Sequence, residues 1–185
     1  MKFNDHARYR GSHAFLGASN PSWINYDEEK LVATYYSRQA TKRGNELHDL
    51  AATLIRLREK LPKTTRTLNM YVNDAIGYKM NPEQILFYSD NAYGTADAIS
   101  FRNGRLRIHD LKTGVTPARM EQLEVYAAYF CLEYKIKPSD IEIDLRIYQN
   151  DTIIQHHATA EDIVPIIDKA IYYDRLIDKL KLEEG

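Results

Sequence analysis

Two aspartates and a lysine frame one short hairpin. In GTADAISFRNGRLRIHDLKTG, from Gly94 to Gly114, Asp97 and Asp110 stand on either side of Asn103-Gly104, and Lys112 follows the second acid at the next-but-one position. Asn-Gly between two alternating runs is a strong short-range hairpin signal. A two-residue turn there pairs Arg102 with Arg105, and carrying that register back along both strands sets Asp97 opposite Asp110. The strand period then puts Asp97, Ile99, Phe101, Leu106, Ile108, Asp110 and Lys112 on one sheet face.

Directly facing side chains have Cβ atoms about 4.5–5.5 Å apart, and like charges there are destabilising. A hard divalent cation removes the conflict, because Mg²⁺ and Mn²⁺ favour carboxylate, carbonyl and water oxygens. Asp97, Asp110 and the Leu111 carbonyl therefore make an open metal site, with Lys112 pointing at whatever the metal holds. A cation that binds a phosphate oxygen and acidifies a water, beside a fixed ammonium, is suited to phosphodiester hydrolysis. A surface Asp–Lys pair ahead of a Lys-Thr-Gly turn accounts for the same residues without chemistry, and the opposed acids weigh against it.

The elements that must position these groups follow from periodicity. Asp27 is placed to cap a helix through about Arg38. A second helix runs from Thr41 to about Leu61, with Leu47, Leu50, Ala51, Leu54, Leu57 and Leu61 at helical spacing and Pro62 as its stop. A shorter helix covers Leu68 to Lys79, closing a helical region over residues 27–80. The period then changes to two: Gln84–Ser89, Thr95–Phe101 and Arg105–Lys112 read as strands, with Ile141–Tyr148 and Thr152–His157 as two more. Between these sets Pro117 opens a helix to about Tyr134, and Ala160–Leu182 closes the chain. The order predicts a mixed α/β domain with a central sheet flanked by helices and a core over residues 84–157.

The length of 185 residues suits one domain with a real core. The net charge of −1 hides an asymmetry: residues 1–70 carry 12 Lys+Arg against 7 Asp+Glu, and residues 121–185 carry 7 against 14. A basic first half suits a polyanion, and an acidic last third suits a solvated helix face. No apolar run spans a membrane, and the start MKFNDHARYR lacks the core of a signal peptide, so the expected location is the cytoplasm. Cys131 is the only cysteine, which excludes an internal disulfide and a four-cysteine iron–sulfur cluster.

Taken together, GTAD, then D-x-K in DLKTG after a short hairpin, then Gln122 and Tyr126 in QLEVY, with His48 upstream in RGNELHDLA, resemble the PD-(D/E)XK nuclease superfamily in its RecB-like branch. The opening HAFLGASNPSWIN is similar to that of phage-encoded members, and the resemblance covers roughly residues 12 to 157. It implies a restriction-endonuclease-like core in which Asp97 and Asp110 bind Mg²⁺, for which Mn²⁺ substitutes, and Lys112 is catalytic. It implies further that His48 is a metal ligand or a neighbour of one, and that Gln122 and Tyr126 orient the site and contact the nucleic acid. The implied activity is that of a stand-alone deoxyribonuclease, an exonuclease of phage recombination or replication acting on single- or double-stranded DNA ends. Its expected partners are DNA and a phage recombinase or single-strand-binding protein, with a homo-oligomer open. The rival reading is a catalytically inactive nucleic-acid-binding or assembly protein with the same fold.

Other residues receive plainer readings. Glu83 is available to a second metal but is assigned to the surface. His109 falls on the face opposite Asp110, and His156-His157 end a strand. Lys42, Arg43, Arg56, Arg58, Lys60, Lys63 and Arg66 are candidates for a phosphate-tracking surface, and Tyr71, Tyr78, Tyr88 and Tyr93 for stacking under an unpaired strand. Ser89-Asp90-Asn91 and Lys112-Thr113-Gly114 imitate two signatures of serine β-lactamases, but no serine has a lysine three residues on, so the nucleophile motif is missing.

Overall fold

The computed structural model describes residues 14–184; the preceding residues, which include His13 at the start of the HAFLGASNPSWIN segment, and Gly185 lie outside it. The described chain divides between Arg43 and Gly44 into two compact units. In the smaller unit a 3₁₀ turn covers Pro21–Asn25, the Trp23 indole donates to the Gly17 carbonyl at 3.0 Å, and Phe15 packs edge-on against Tyr35.

The two helices expected over 27–61 are one, α1 (Glu28–Leu57). Asp27 caps it as expected, accepting the Lys30 amide at 2.7 Å. Gln39-Ala40-Thr41 contains no breaker, and the Thr41 hydroxyl donates back to the Ser37 carbonyl, so its polar atom is satisfied inside the helix. The helix stops before Pro62. Arg58 adopts φ 58, and the Glu59 amide returns to the Leu54 carbonyl, a Schellman closure.

The larger unit is α/β, a five-stranded mixed sheet flanked by helices. After α2 (Thr67–Gly77) come β1 (Asn81–Ser89), β2 (Ala92–Arg102) and β3 (Arg105–Leu111), then α3 (Glu121–Tyr134), β4 (Glu142–Gln149), β5 (Thr152–Ala158) and α4 (Ala160–Glu184). The strands lie in chain order. Only β3 and β4 are parallel, and α3 supplies the crossover such a pair requires. On one face Leu86, Ala96, Ile99, Leu106 and Ile108 pack under α3 and the start of α4. On the other, Ala98, Leu111 and Tyr148 pack with Ala51 and Ile55 of α1 and Tyr71, Val72 and Ala75 of α2. No helix among the described residues is long and apolar enough to cross a membrane.

Helix α3 begins at Glu121 rather than at Pro117. The buried Gln149 side chain explains the delay. Its amide nitrogen donates to the Gly114 and Thr116 carbonyls at 2.6 and 2.8 Å, and its oxygen accepts the Ala118 amide at 3.2 Å, so the backbone before α3 is bonded to a side chain instead of to a helical turn.

The buried stripe of α1 overlaps the expected one only in part: Ala51 is buried and Leu54 half-buried against the α2-side core. Leu47, Leu50 and Leu57 are exposed, whereas Gly44, Ala51, Ala52 and Ile55 are buried. Small residues let the helix approach the sheet closely: a Cβ on Gly44 would lie 2.8 Å from the Thr113 hydroxyl. His48, one turn after Gly44, therefore lies on the sheet-facing side.

Candidate metal and phosphoryl-transfer site

The hairpin register is the expected one. Asn103 and Gly104 both have positive φ, 52 and 71, as a type I′ turn requires, and pairing runs from Arg102–Arg105 through Ile99–Ile108 to Ala98–His109. There it stops, one step short of Asp97 and Asp110.

The expectation that both acids share one face is corrected. Ala96 packs with the α3 core, Ala98 with the α2 core and Ile99 with the α3 core again, so the alternation of β2 reverses around Asp97. The β1–β2 ladder pairs Pro82 with Ala98 and Gln84 with Ala96 and leaves out Glu83 and Asp97, with Glu83 at φ 52. Such an irregularity re-aims a side chain. Asp97 turns toward α1: its Oδ2 lies 3.4 Å from His48 Nδ1 and accepts the Leu111 amide at 2.8 Å. Asp110 stays on the α3 side with Lys112.

Glu83, assigned to the surface from sequence, belongs here. One ligand atom each from His48, Glu83 and Asp97 lie within 4.8 Å of one another, the one such group among the described residues. A two-residue turn at Asp90-Asn91 would set Gln84 level with Asp97, but the register shifts between Phe87 and Ser89, and that extra residue brings Glu83 level instead. A bulge of this kind has no sharp sequence signal. Leu111, expected to offer its carbonyl, presents its amide to Asp97.

A second chain of contacts runs along the α3 side. Lys112 Nζ donates to Asp110 Oδ1 at 3.1 Å and to Gln122 Oε1 at 2.8 Å, and the Gln122 amide donates to the Tyr126 hydroxyl at 3.2 Å. The spacing of Gln122 and Tyr126, one turn apart on α3, makes this relay possible. The Tyr126 ring lies against Gly94, where an added Cβ would stand 2.9 Å from Cε1. Gly94→Ala should therefore destabilise by about 1–3 kcal/mol through overpacking. Urea unfolding checks this, and in a Tyr126→Ala background the penalty should vanish.

Burial first, and the charge of Asp97 second, raise the Asp110 pKa above the usual carboxylate range, against the pull of Lys112. Asp110 is 3% exposed, and its Oδ2 makes no hydrogen bond; Lys112 Nζ lies 3.0 Å away without the angle for one. The hydrogen bond to Asp97 raises the His48 pKa, with burial opposing. Burial, then Asp97, raises Glu83. An orphaned buried carboxylate oxygen and a neighbouring imidazole–carboxylate group fit a divalent cation: the donors are oxygens and one imidazole, and three of the four are pushed toward their protonated forms, Asp110 and Glu83 chiefly by burial and His48 by its bond to Asp97.

The other candidates separate from the site. His109 is fully buried, bonded through Nδ1 to the Tyr148 hydroxyl and held neutral, its pKa lowered to about 3 by burial. His156 lies 3.6 Å from both Glu124 and Asp162. Tyr71 cannot stack on a strand, being buried edge-on against Tyr148, and Tyr78 is covered by Arg107 and Arg146. Tyr93 is exposed and stacks on Phe87. Ser89 and Asn91 bind Asp174 of α4, a structural tie. No protein-family model matches the chain, and no curated protein matches its sequence.

Proposed function

We propose that the protein is a metal-dependent nuclease with a restriction-endonuclease-like core of the PD-(D/E)XK type, hydrolysing DNA phosphodiester bonds with Mg²⁺ or Mn²⁺. The observation that carries this reading is Asp110, a buried carboxylate with an unbonded oxygen beside a lysine that a glutamine holds in place. Asp97, Asp110, His48 and Glu83 would hold the metal. When bound, it supplies a Lewis acid for a phosphoryl oxygen and a more acidic water. Lys112 keeps an ammonium at a fixed point where charge develops on the phosphate, and Gln122 holds that ammonium while Tyr126 holds Gln122. Asp97 joins the two halves: it orients His48 and bonds the backbone next to Asp110.

The setting we infer is an exonuclease of phage recombination or replication in the host cytoplasm, acting on DNA ends with a recombinase or single-strand-binding protein as partner. End-labelled linear, nicked and closed circular DNA test it. Linear DNA should be degraded with Mg²⁺, at lower concentrations with Mn²⁺ because of the imidazole, and not in EDTA, while closed circles survive. Cutting of closed circles would replace the exonuclease reading with an endonuclease one. No cleavage of any substrate at millimolar metal would contradict the proposal.

A further inference from the structure

At the turn end of the β2–β3 hairpin, away from the candidate site, lies an open groove of about 630 Å³. Arg105 at this end and Asp110 at the other are on the order of 17 Å apart along β3 at the ordinary strand rise. The floor is the α2-side face of the hairpin, where Arg102 and Arg105 form the last pair before the turn and Arg107 follows on the same face. The wall is the end of α2, with Tyr78 and Lys79.

Four cationic side chains line this groove against one carboxylate, Glu142, which pairs with Arg105. Arg107 lies 3.7 Å from Asp144, but Asp144 already receives both Nε and Nη2 of Arg146, and Arg107 Nε has no hydrogen-bond partner. Arg102 and Lys79 have no ion-pair partner among the described residues. Facing Arg102 and Arg105 cost stability, as any like-charged cross-strand pair does, and an anion between them removes the cost.

The lining also limits which anion fits. Guanidinium groups of Arg107 and Arg146 stand 4.6 and 5.1 Å from the Tyr78 ring centroid, so cations already pack on the one aromatic ring that lines the groove. Recognition rests on charge and N–H donors, which read phosphate and not base identity. The volume is several times that of one phosphate, and the cations are spread over two strands and a helix end instead of converging on a point. We propose that this groove binds the phosphodiester backbone of a nucleic acid, as a second docking point remote from the candidate cleavage site. It requires neither a metal nor Asp110, so it stands or falls apart from the cleavage reading.

The test is the double variant Lys79→Asn/Arg102→Gln, measured by fluorescence anisotropy with a labelled duplex in EDTA across a salt series. Affinity should fall about tenfold at low salt, and the slope of log K against log salt should become shallower by about 1.8, or 0.9 for each phosphate that is no longer neutralised. Melting should be unchanged or higher, because Arg102→Gln removes a facing charge, and Arg102→Lys should keep the affinity. If the double variant does not fold, Arg102→Gln alone carries the test, with a slope change of about 0.9. Unchanged affinity and slope would overturn the proposal. So would displacement of the duplex by micromolar inorganic triphosphate, which would make this a site for free oligophosphates.

Discussion

Lys112→Ala should lower phosphodiester cleavage by about 10²–10³-fold, the effect of removing one preorganised donor from a developing charge. Divalent-cation affinity should be unchanged or higher. The ammonium stands 3.0 Å from the unbonded Asp110 oxygen and donates to the other, so it competes for the carboxylate a cation would use. Its removal takes away a competitor at the metal and a partner at the phosphate together. Single-turnover cleavage and a metal titration on the same preparation separate the two effects. Arg should not rescue the activity, because a planar fork does not reproduce a compact ammonium held between Asp110 and Gln122. Cleavage near the wild-type rate in Lys112→Ala would remove this lysine from the chemistry.

Asp110→Asn should abolish cleavage and yet raise the melting temperature in EDTA. The carboxyl is buried, and burial together with Asp97 outweighs Lys112 in setting its pKa above the usual range. The native state therefore holds this proton more tightly than the unfolded chain. Its contribution to metal-free stability is fully present at low pH and is lost as pH rises from the ordinary carboxylate range through the raised value. Asn removes the charge and flattens that part of the pH profile, with a gain on the order of 1 kcal/mol or less above it. His48, raised by its bond to Asp97, leaves a second loss at higher pH in both proteins. Asp97→Asn should behave differently. Asp97 Oδ2 accepts the Leu111 amide and faces His48, so its replacement weakens real bonds and lowers the melting temperature. Equal stabilisation by both substitutions would contradict this asymmetry.

That asymmetry marks where the sequence stops being sufficient. The register of the β2–β3 hairpin was legible because Asn103-Gly104 admits one turn type, and the relay from Lys112 through Gln122 to Tyr126 because helical spacing puts the last two on one face. The face of Asp97 was not legible. Two matched irregularities, at Glu83 and Asp97, reverse the strand alternation; Pro82 beside Glu83 permits a break in β1 but does not say which way Asp97 turns. Glu83 was missed for the same reason. His48 was placed by resemblance, while the leucines around it suggested a different helix face; the face that packs is the one whose small residues, Gly44, Ala51 and Ala52, admit a close approach. The delayed start of α3 is likewise a tertiary effect, since only the fold brings Gln149 to residues 114–118.

The central claim is that these acids hold a divalent cation, and a calorimetric titration with Mn²⁺ into wild type and Asp110→Asn tests it without any substrate. Wild type should bind at micromolar to millimolar Mn²⁺ with release of protons, since His48, Glu83 and Asp110 are all held toward their protonated forms. Its melting temperature should rise with metal concentration, and Asp110→Asn should bind far more weakly and shift less. Absence of binding in wild type at millimolar Mn²⁺, or the same binding in both proteins, would contradict the account.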